Sequence, residues 1–252
     1  MKIENILKPL VLRRGSGGSF ENGLCFMEAV SWLGGEECSD VPRCACPILG
    51  AFAIRLNDQL SNNNRQKLIP LAFDMLGTRS KVHEKLRAEY LLVQVARHVI
   101  SKSFDKIGLS EIAEKYREVV TVLGVKEVSI SAKYAANAAY DDYDAYDAYD
   151  AAYGAVYAAD AAYAAADAAD AADAYVAAAY TADAAYDAAD AAYAADAYNA
   201  AYAAAFRQQF LLDCIPILQE AIAIGPNNIV DDVVIERALD LSKFAKETIK
   251  CN

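Results

Sequence analysis

Seven consecutive residues, Arg13-Arg14-Gly15-Ser16-Gly17-Gly18-Ser19, put two guanidiniums, three glycines and two hydroxyls into one short stretch. Glycine lets neighbouring backbone N–H groups turn toward a common point. A helix starting soon afterwards would add its positive end, so the stretch reads as a nest for an anion, nucleotide-like in the sharpest version. It is not a Walker loop, since no Gly-Lys-Ser/Thr follows the glycines and no strand pattern precedes them. The plainer reading is a connector with solvated arginines. Glu28 is the lone charge on a helix that is otherwise apolar nearly all round, and Asp40, Asn57 and Asp58 belong to elements that could meet it. A buried glutamate can do acid–base work. It can equally cap a loop backbone or pair with Arg13, Arg14, Arg43 or Arg55. The expected ligand-binding set is therefore Arg13, Arg14, Gly15, Ser16, Gly17, Gly18, Ser19, Glu28 and Asn57, with no residue assigned as catalytic.

The cysteines offer less. Cys25, Cys38, Cys44 and Cys46 lack any C-x₂-C knuckle, and the two histidines, His83 and His98, lie on a later helix. Tetrahedral zinc wants closely spaced ligands, so no metal or cofactor is expected. A nucleophilic Cys25 or Cys44 would need a base beside it, and the sequence places none nearby.

These residues need helices to hold them, and helix signals run through the chain. Met1–Leu12 reads as a short helix or extended lead-in. Asn22–Leu33 is an apolar helix stopped by Gly34-Gly35. Pro47 opens the next, which closes on Asn57-Asp58. Arg65–Leu76 reads as a helix bent at Pro70. Amphipathic helices follow over Lys81–Ile100 and Ser110–Leu123. Beyond the repeat, Phe206–Ile224 is apolar with a bend at Pro216, and Asn228 caps a last helix to Thr248.

Between them lies the stretch Tyr134–Ala205, which holds 39 Ala, 14 Tyr and 13 Asp and no Lys, Arg, Glu, Leu, Ile, Phe or Pro. Alanine is the best helix former, and the spacing of mostly three and sometimes four residues is not a strand period. As one helix the stretch would span roughly 108 Å, far beyond an ordinary globular helix. It is thus either one gripped rod or two to four antiparallel helices. Gly154 and Tyr175-Val176 are the visible candidate breaks. Tyrosine rings buried on alanine, with Asp facing outward, are the expected packing, by self-folding or against a second copy.

Charge is divided unevenly. The net charge is −11; the repeat carries its 13 Asp, so the rest of the chain (24 basic, 22 acidic) sums to about +2. A repeat without cations has none to exchange for counterions, which argues against its binding nucleic acid directly. As an imitation of nucleic acid it is dilute: a rod carries one charge per ~8 Å, against one per ~1.7 Å for duplex DNA. No leader pattern and no long uninterrupted apolar run is seen, and six clustered cysteines do not make a secreted scaffold. A reduced, cytoplasmic protein without a membrane partner is expected.

The motif Arg14–Ser19, Gly23-Leu-Cys25-x-Met27-Glu28-Ala29-Val30, Gly35-Glu36, Ser39-Asp40-x-Pro42-x-Cys44-x-Cys46-Pro47 and Leu56-Asn57-Asp58 resembles a family of uncharacterised bacterial and bacteriophage proteins. Similar members carry alanine-rich repeats. The resemblance covers the N-terminal part of the chain, to about position 80. The family pattern often has a His where this chain has Gly17 or Gly18, so no His-dependent chemistry carries over, and the family supplies no established activity.

The expectation is an all-α fold: a helical body over 1–130, a repeat insertion over 131–206 and C-terminal helices over 207–252 that pack back on the body. Three functions fit. The first is a non-enzymatic protein that captures or sequesters an anionic small molecule. The second is an interaction or oligomerisation element, or an acidic nucleic-acid mimic, built on the repeat and present as a homo-oligomer. The third is a hydrolase using Glu28 with Asp40 or Asp58.

Overall fold

The structure, a computed structural model, describes residues 10–19, 21–142, 146–170, 173–195 and 200–225. The fold is all-α. Among the described residues the only β features are two isolated bridges, Leu12 with Leu24 and Ser19 with Gly23. The expected lead-in helix over Met1–Leu12 and the last helix from Asn228 lie largely or wholly outside the described residues.

The first helices are α1 (Phe26–Leu33), α2 (Pro47–Gln59), α3 (Asn62–Arg65) with a 3₁₀ turn over Gln66–Leu68, and α4 (Leu71–Asp74). Proline opens α2 where its missing N–H costs nothing. The expected single helix over Arg65–Leu76 is instead broken into pieces, with Pro70 at the start of α4, because proline cannot donate to the preceding turn. Phe26, Met27, Leu33, Ile48, Leu49, Phe52, Leu60 and Leu68 make a core of large, fully buried side chains. Burying each such side chain contributes about 1.5–3 kcal/mol.

Next come α5 (Lys81–Val95), a π-helical turn over Ala96–Ile100, α6 (Ser101–Lys106), α7 (Ser110–Glu118) and α8 (Val122–Asp142). The repeat supplies the end of α8, then α9 (Tyr146–Asp170), α10 (Ala174–Ala195) and the start of α11 (Ala200–Ile222), which runs on through Pro216. The chain divides into two compact units. One contains the described residues up to Glu84 together with 219–225; the other is Lys85–Leu218. The repeat shares its unit with residues 85–130. The short stretch after Leu218 belongs with the N-terminal unit, and a Cβ at Gly225 would lie 3.0 Å from His83 Nδ1.

Contacts along the repeat show its topology. Lys126 pairs with Asp167 and Lys133 with Asp160, both at 2.8 Å, so a step up α8 corresponds to an equal step down α9. Gly154 of α9 lies against Ala191 of α10, and Arg207 of α11 reaches Asp190 of α10. Successive helices are antiparallel. Gly154, expected as a break, is mid-helix: a Cβ there would be 2.9 Å from Ala191 Cα. It marks the closest backbone approach of α9 and α10. The break falls instead just before Tyr175, between Asp170 and Ala174.

Packing in the repeat reverses the expectation for tyrosine. The interior is alanine: Ala155, Ala158, Ala162 and Ala165 of α9 and Ala184, Ala188 and Ala191 of α10 are fully buried. Tyr153, Tyr157, Tyr163, Tyr175, Tyr180 and Tyr193 are all exposed. Helices lined with methyl groups approach too closely for a ring to fit between them, so the rings are displaced to the rims and outer faces. Among the described residues Asp160, Asp167 and Asp190 reach outward into ion pairs with Lys133, Lys126 and Arg207.

Candidate functional site

The glycine loop is clasped by the protein itself. Gly17 sits at φ +78°, a conformation that suits glycine, and turns its N–H onto Glu28 Oε1 at 2.6 Å. Glu28 Oε2 accepts the N–H of Cys25 at 2.8 Å, and Cys25 Sγ accepts the N–H of Glu28 at 3.3 Å. This reciprocal capping box starts α1, with a cysteine in the place serine or threonine usually takes. Gly15 N–H donates to Asp58 Oδ1 at 2.9 Å, and Asn57 Nδ2 donates both to Asp58 Oδ1 and to the Arg13 carbonyl. Loop, α1 and α2 therefore meet as the sequence implies.

What the meeting does differs from the expectation. An anion nest needs free N–H donors, and those of Gly15 and Gly17 are occupied by the chain's own carboxylates. An incoming phosphate would have to displace Asp58 or Glu28 and would meet their negative charge. Arg14 and Ser16 stay exposed and Arg13 half-exposed at the rim, while Gly18 is buried and Ser19 holds the turn through the N–H of Asn22. Glu28 is 2 % exposed and Asn57 fully buried, and one atom of the cluster, Asn57 Oδ1, has no hydrogen-bond partner.

Several residues that stabilise this clasp give no signal in the sequence. Gln66 exchanges two bonds with the backbone of Leu12, each 2.8 Å. Arg65 is buried and turns its guanidinium to the end of α2, donating from Nε to the Asn57 carbonyl (2.6 Å) and from Nη2 to the Leu60 carbonyl (2.7 Å). Orphan carbonyls at a helix end need such donors. Glu36 does the equivalent for the cysteine loop, accepting the N–H groups of Arg43 and Cys44 at 2.7 and 2.6 Å.

The cysteines are not set up for chemistry. Burial pushes the Cys25 thiol up to about 12 against the lowering effect of the Glu28 N–H it accepts, and burial with Glu36 does the same at Cys44. A thiol there stays protonated and weakly nucleophilic. Cys25, Cys44, Cys46 and Cys214 are free. Among the described residues no group of three His, Cys, Asp or Glu side chains could hold a metal. His83 and His98 make local bonds to Ser80 and Gln94. Asp40 is close enough to Cys25 to help raise its thiol, but the Glu28 carboxylate it would partner in hydrolysis is held by two N–H groups. Among the described residues no helix is long and apolar enough to cross a membrane.

No family model, curated protein or solved structure matches the chain. The resemblance of the N-terminal part rests on its motif alone.

The second candidate surface is the outer face of α9 and α10. Tyr153 and Tyr157 stand edge-to-face with centroids 4.7 Å apart and hydroxyls 2.6 Å apart. Asp160 and Asp187 lie close enough to make the Tyr157 hydroxyl harder to ionise, after the larger effect of Tyr153 itself. Burial, then Asp183 and Asp190, pushes the Asp187 carboxyl up to about 6. Two cations of the same unit already use this kind of surface. Lys126 Nζ lies 5.2 Å over the Tyr163 ring while bonding Asp167, and Arg207 lies 4.7 Å over Tyr186 while bonding Asp190 at 2.5 Å. A third feature of this unit is an open groove of about 470 Å³ between α5 and residues 120–123, lined by Leu86, Tyr90, Val93 and Leu123.

Proposed function

We propose that the chain is a non-enzymatic interaction protein whose working surface is the Tyr/Asp face of the repeat. One observation carries the reading: along α9 and α10 alanine is buried, and among the described side chains every tyrosine except the half-buried Tyr186 is exposed. Tyrosine supplies a large, rigid contact area with a polar tip at low entropic cost, the qualities that enrich it at protein interfaces. A helix array that needed its tyrosines for folding would turn them inward. The N-terminal unit favours the same reading, because its polar cluster commits its carboxylates to backbone N–H groups. Capture of an anionic ligand there draws support only from the exposed Arg14 and half-exposed Arg13.

The test is a full-length variant with Tyr153, Tyr157, Tyr180 and Tyr193 all replaced by Ser. It should keep its helicity and melt within a few degrees of the parent, yet lose the proteins that the parent retains from cell extract. Loss of fold would make the rings structural, and retention of the same proteins would move the binding surface elsewhere. Either result overturns the reading.

A further inference from the structure

We propose that Tyr153 and Tyr157 form a site of oxidative coupling, at which a one-electron oxidant of the peroxidase–peroxide class joins the two rings carbon to carbon. Three observations suit the pair to it. The positions are four apart, which sets their Cβ atoms about 5–6 Å from each other on one helix face. The rings stand edge-to-face at 86° with centroids 4.7 Å apart, and the hydroxyls are 2.6 Å apart. With the hydroxyls touching, the ring carbons next to them, where a phenoxyl radical carries spin density, are brought to the same place. Both residues are 47 % exposed, so the pair is in contact with itself and still open to an oxidant. Holding the two reacting groups this close replaces an encounter between molecules by a step within one.

Each phenol gives up one electron and one proton. The electrons go to the oxidised haem of the peroxidase, the protons go to water at the open side of the rings, and hydrogen peroxide is reduced to water. A bond then forms between the ortho carbons of the two phenoxyl rings. The hydrogen on each of these carbons moves to its own phenoxyl oxygen, which restores aromaticity and leaves a biphenol lighter by two hydrogen atoms. The linked turn contains Gly154, and glycine weakens a helix more than any residue but proline. A side chain cannot strengthen that position, because a Cβ there would lie 2.9 Å from Ala191 Cα. A covalent bridge on the outer face reinforces α9 where the sequence does not.

The experiment treats dilute full-length protein with a haem peroxidase and a limiting amount of hydrogen peroxide. Monomer recovered from a denaturing gel should show the blue fluorescence of a biphenol and a mass lower by two hydrogens. Its fragmentation should be silent between positions 153 and 157. Tyr153→Phe and Tyr157→Phe, which keep both rings and lose one hydroxyl, should each lower the monomer fluorescence about tenfold or more. Tyr175 is as exposed as the pair, at 48 %, so Tyr175→Phe measures what exposure alone contributes and should leave the signal unchanged. The coupled protein should melt above the untreated one. Undiminished fluorescence in Tyr153→Phe and Tyr157→Phe would place the coupling elsewhere, and biphenol confined to covalent dimers would show exposure without a poised pair. Either result, or no biphenol at all, overturns the site. A coupled protein that melts no higher overturns the reinforcement of α9. The reaction uses only the protein and the oxidant, so its outcome does not depend on the face having a partner.

Discussion

Two tyrosines of the same unit show how differently this chain can use one residue type. Tyr116 of α7 is fully buried, its ring 5.5 Å from Phe104 and its hydroxyl 3.0 Å from Ser129 Oγ. Tyr157 of α9 leaves 47 % of itself to water. The difference lies in the neighbours. Around Tyr116 the facing side chains are large and varied, so helices stand far enough apart to admit a ring and a partner for its hydroxyl. Around Tyr157 the facing surface is alanine, and backbones approach until a ring is excluded. The same contrast separates the N-terminal unit, where Phe26, Phe52 and Leu49 are buried and carboxylates cap loops, from the repeat, where closeness of backbone replaces size of side chain.

Within the N-terminal unit the largest effect is expected where it depends on a single carboxylate. Glu28→Ala removes the acceptor for both Gly17 and Cys25, leaving the buried Cys25 N–H without a partner, at roughly 1–3 kcal/mol, while the N–H of the exposed Gly17 can return to water. Chemical denaturation should register a loss of about 1–3 kcal/mol, with Glu28→Gln losing less because one amide oxygen can still accept. An unchanged midpoint would mean that Glu28 is free for other work, which would revive the catalytic reading.

In the repeat the corresponding lesion is one of volume. Within an exposed helix, replacing glycine by alanine stabilises by about 1 kcal/mol. At Gly154 the added carbon would lie 2.9 Å from Ala191 Cα and 3.0 Å from its backbone N, atoms that cannot swing aside. Gly154→Val should therefore destabilise by about 1–3 kcal/mol, and Gly154→Ala should fail to show its usual gain in a thermal melt. A stabilised Gly154→Ala protein would show that α9 and α10 are not in close contact.

Much of this was legible in the residues. Alanine content and a three-to-four spacing announce helices, and the length of Tyr134–Ala205 demands that they fold back. The meeting of the Arg13–Ser19 loop with Glu28 and Asn57 also follows from types and order. What the pattern could not supply was direction. A glycine-rich loop beside a glutamate looks the same whether its N–H groups face a ligand or that glutamate, and only the φ of Gly17 and the 2.6 Å bond decide it. Nor does a Tyr/Ala pattern say which residue faces inward; that depends on interhelical distance, a property of two segments together. Arg65 and Gln66 give no warning because their partners are carbonyls, which carry no sequence signature.

A smaller effect concerns acidity. Burial, reinforced by Asp183 and Asp190, lifts the Asp187 carboxyl from 3.8 to about 6. Its charged form is disfavoured in the folded state, so the folded protein takes up this proton more readily than the unfolded one. Stability should rise as pH falls through about 6 and level off near the unfolded value. After allowance for solvent screening of a partly exposed group, the gain is about 1 kcal/mol or less. Glu36 acts in the opposite sense. Burial raises its pKa, but the N–H groups of Arg43 and Cys44 and the Arg43 charge outweigh this and hold it below 4.5, so its contribution fades at lower pH. Melting temperature should thus rise as pH falls from about 6 toward 3.8, with Glu36 opposing the rise below 4.5, and Asp187→Asn should remove the rise on the neutral side. A variant that keeps the rise would assign it to another group.

The smallest effect is the most diagnostic for the two uses of tyrosine. Tyr180 and Tyr193 of α10 are exposed, so truncating them forfeits little buried area and removes a residue that alanine would better as a helix former. Tyr180→Ala and Tyr193→Ala should each shift stability by no more than about 0.5 kcal/mol in either direction. Tyr116→Ala, measured alongside, removes a fully buried ring together with the partner of Ser129 and should cost about 3–5 kcal/mol. The comparison holds only if the two classes stay well apart. Losses of several kcal/mol at Tyr180 and Tyr193 would mean that these rings are covered in solution by a second copy of the chain, and a midpoint that moved with protein concentration would confirm it. Near-zero losses independent of concentration would leave the rings as surface held open for a partner.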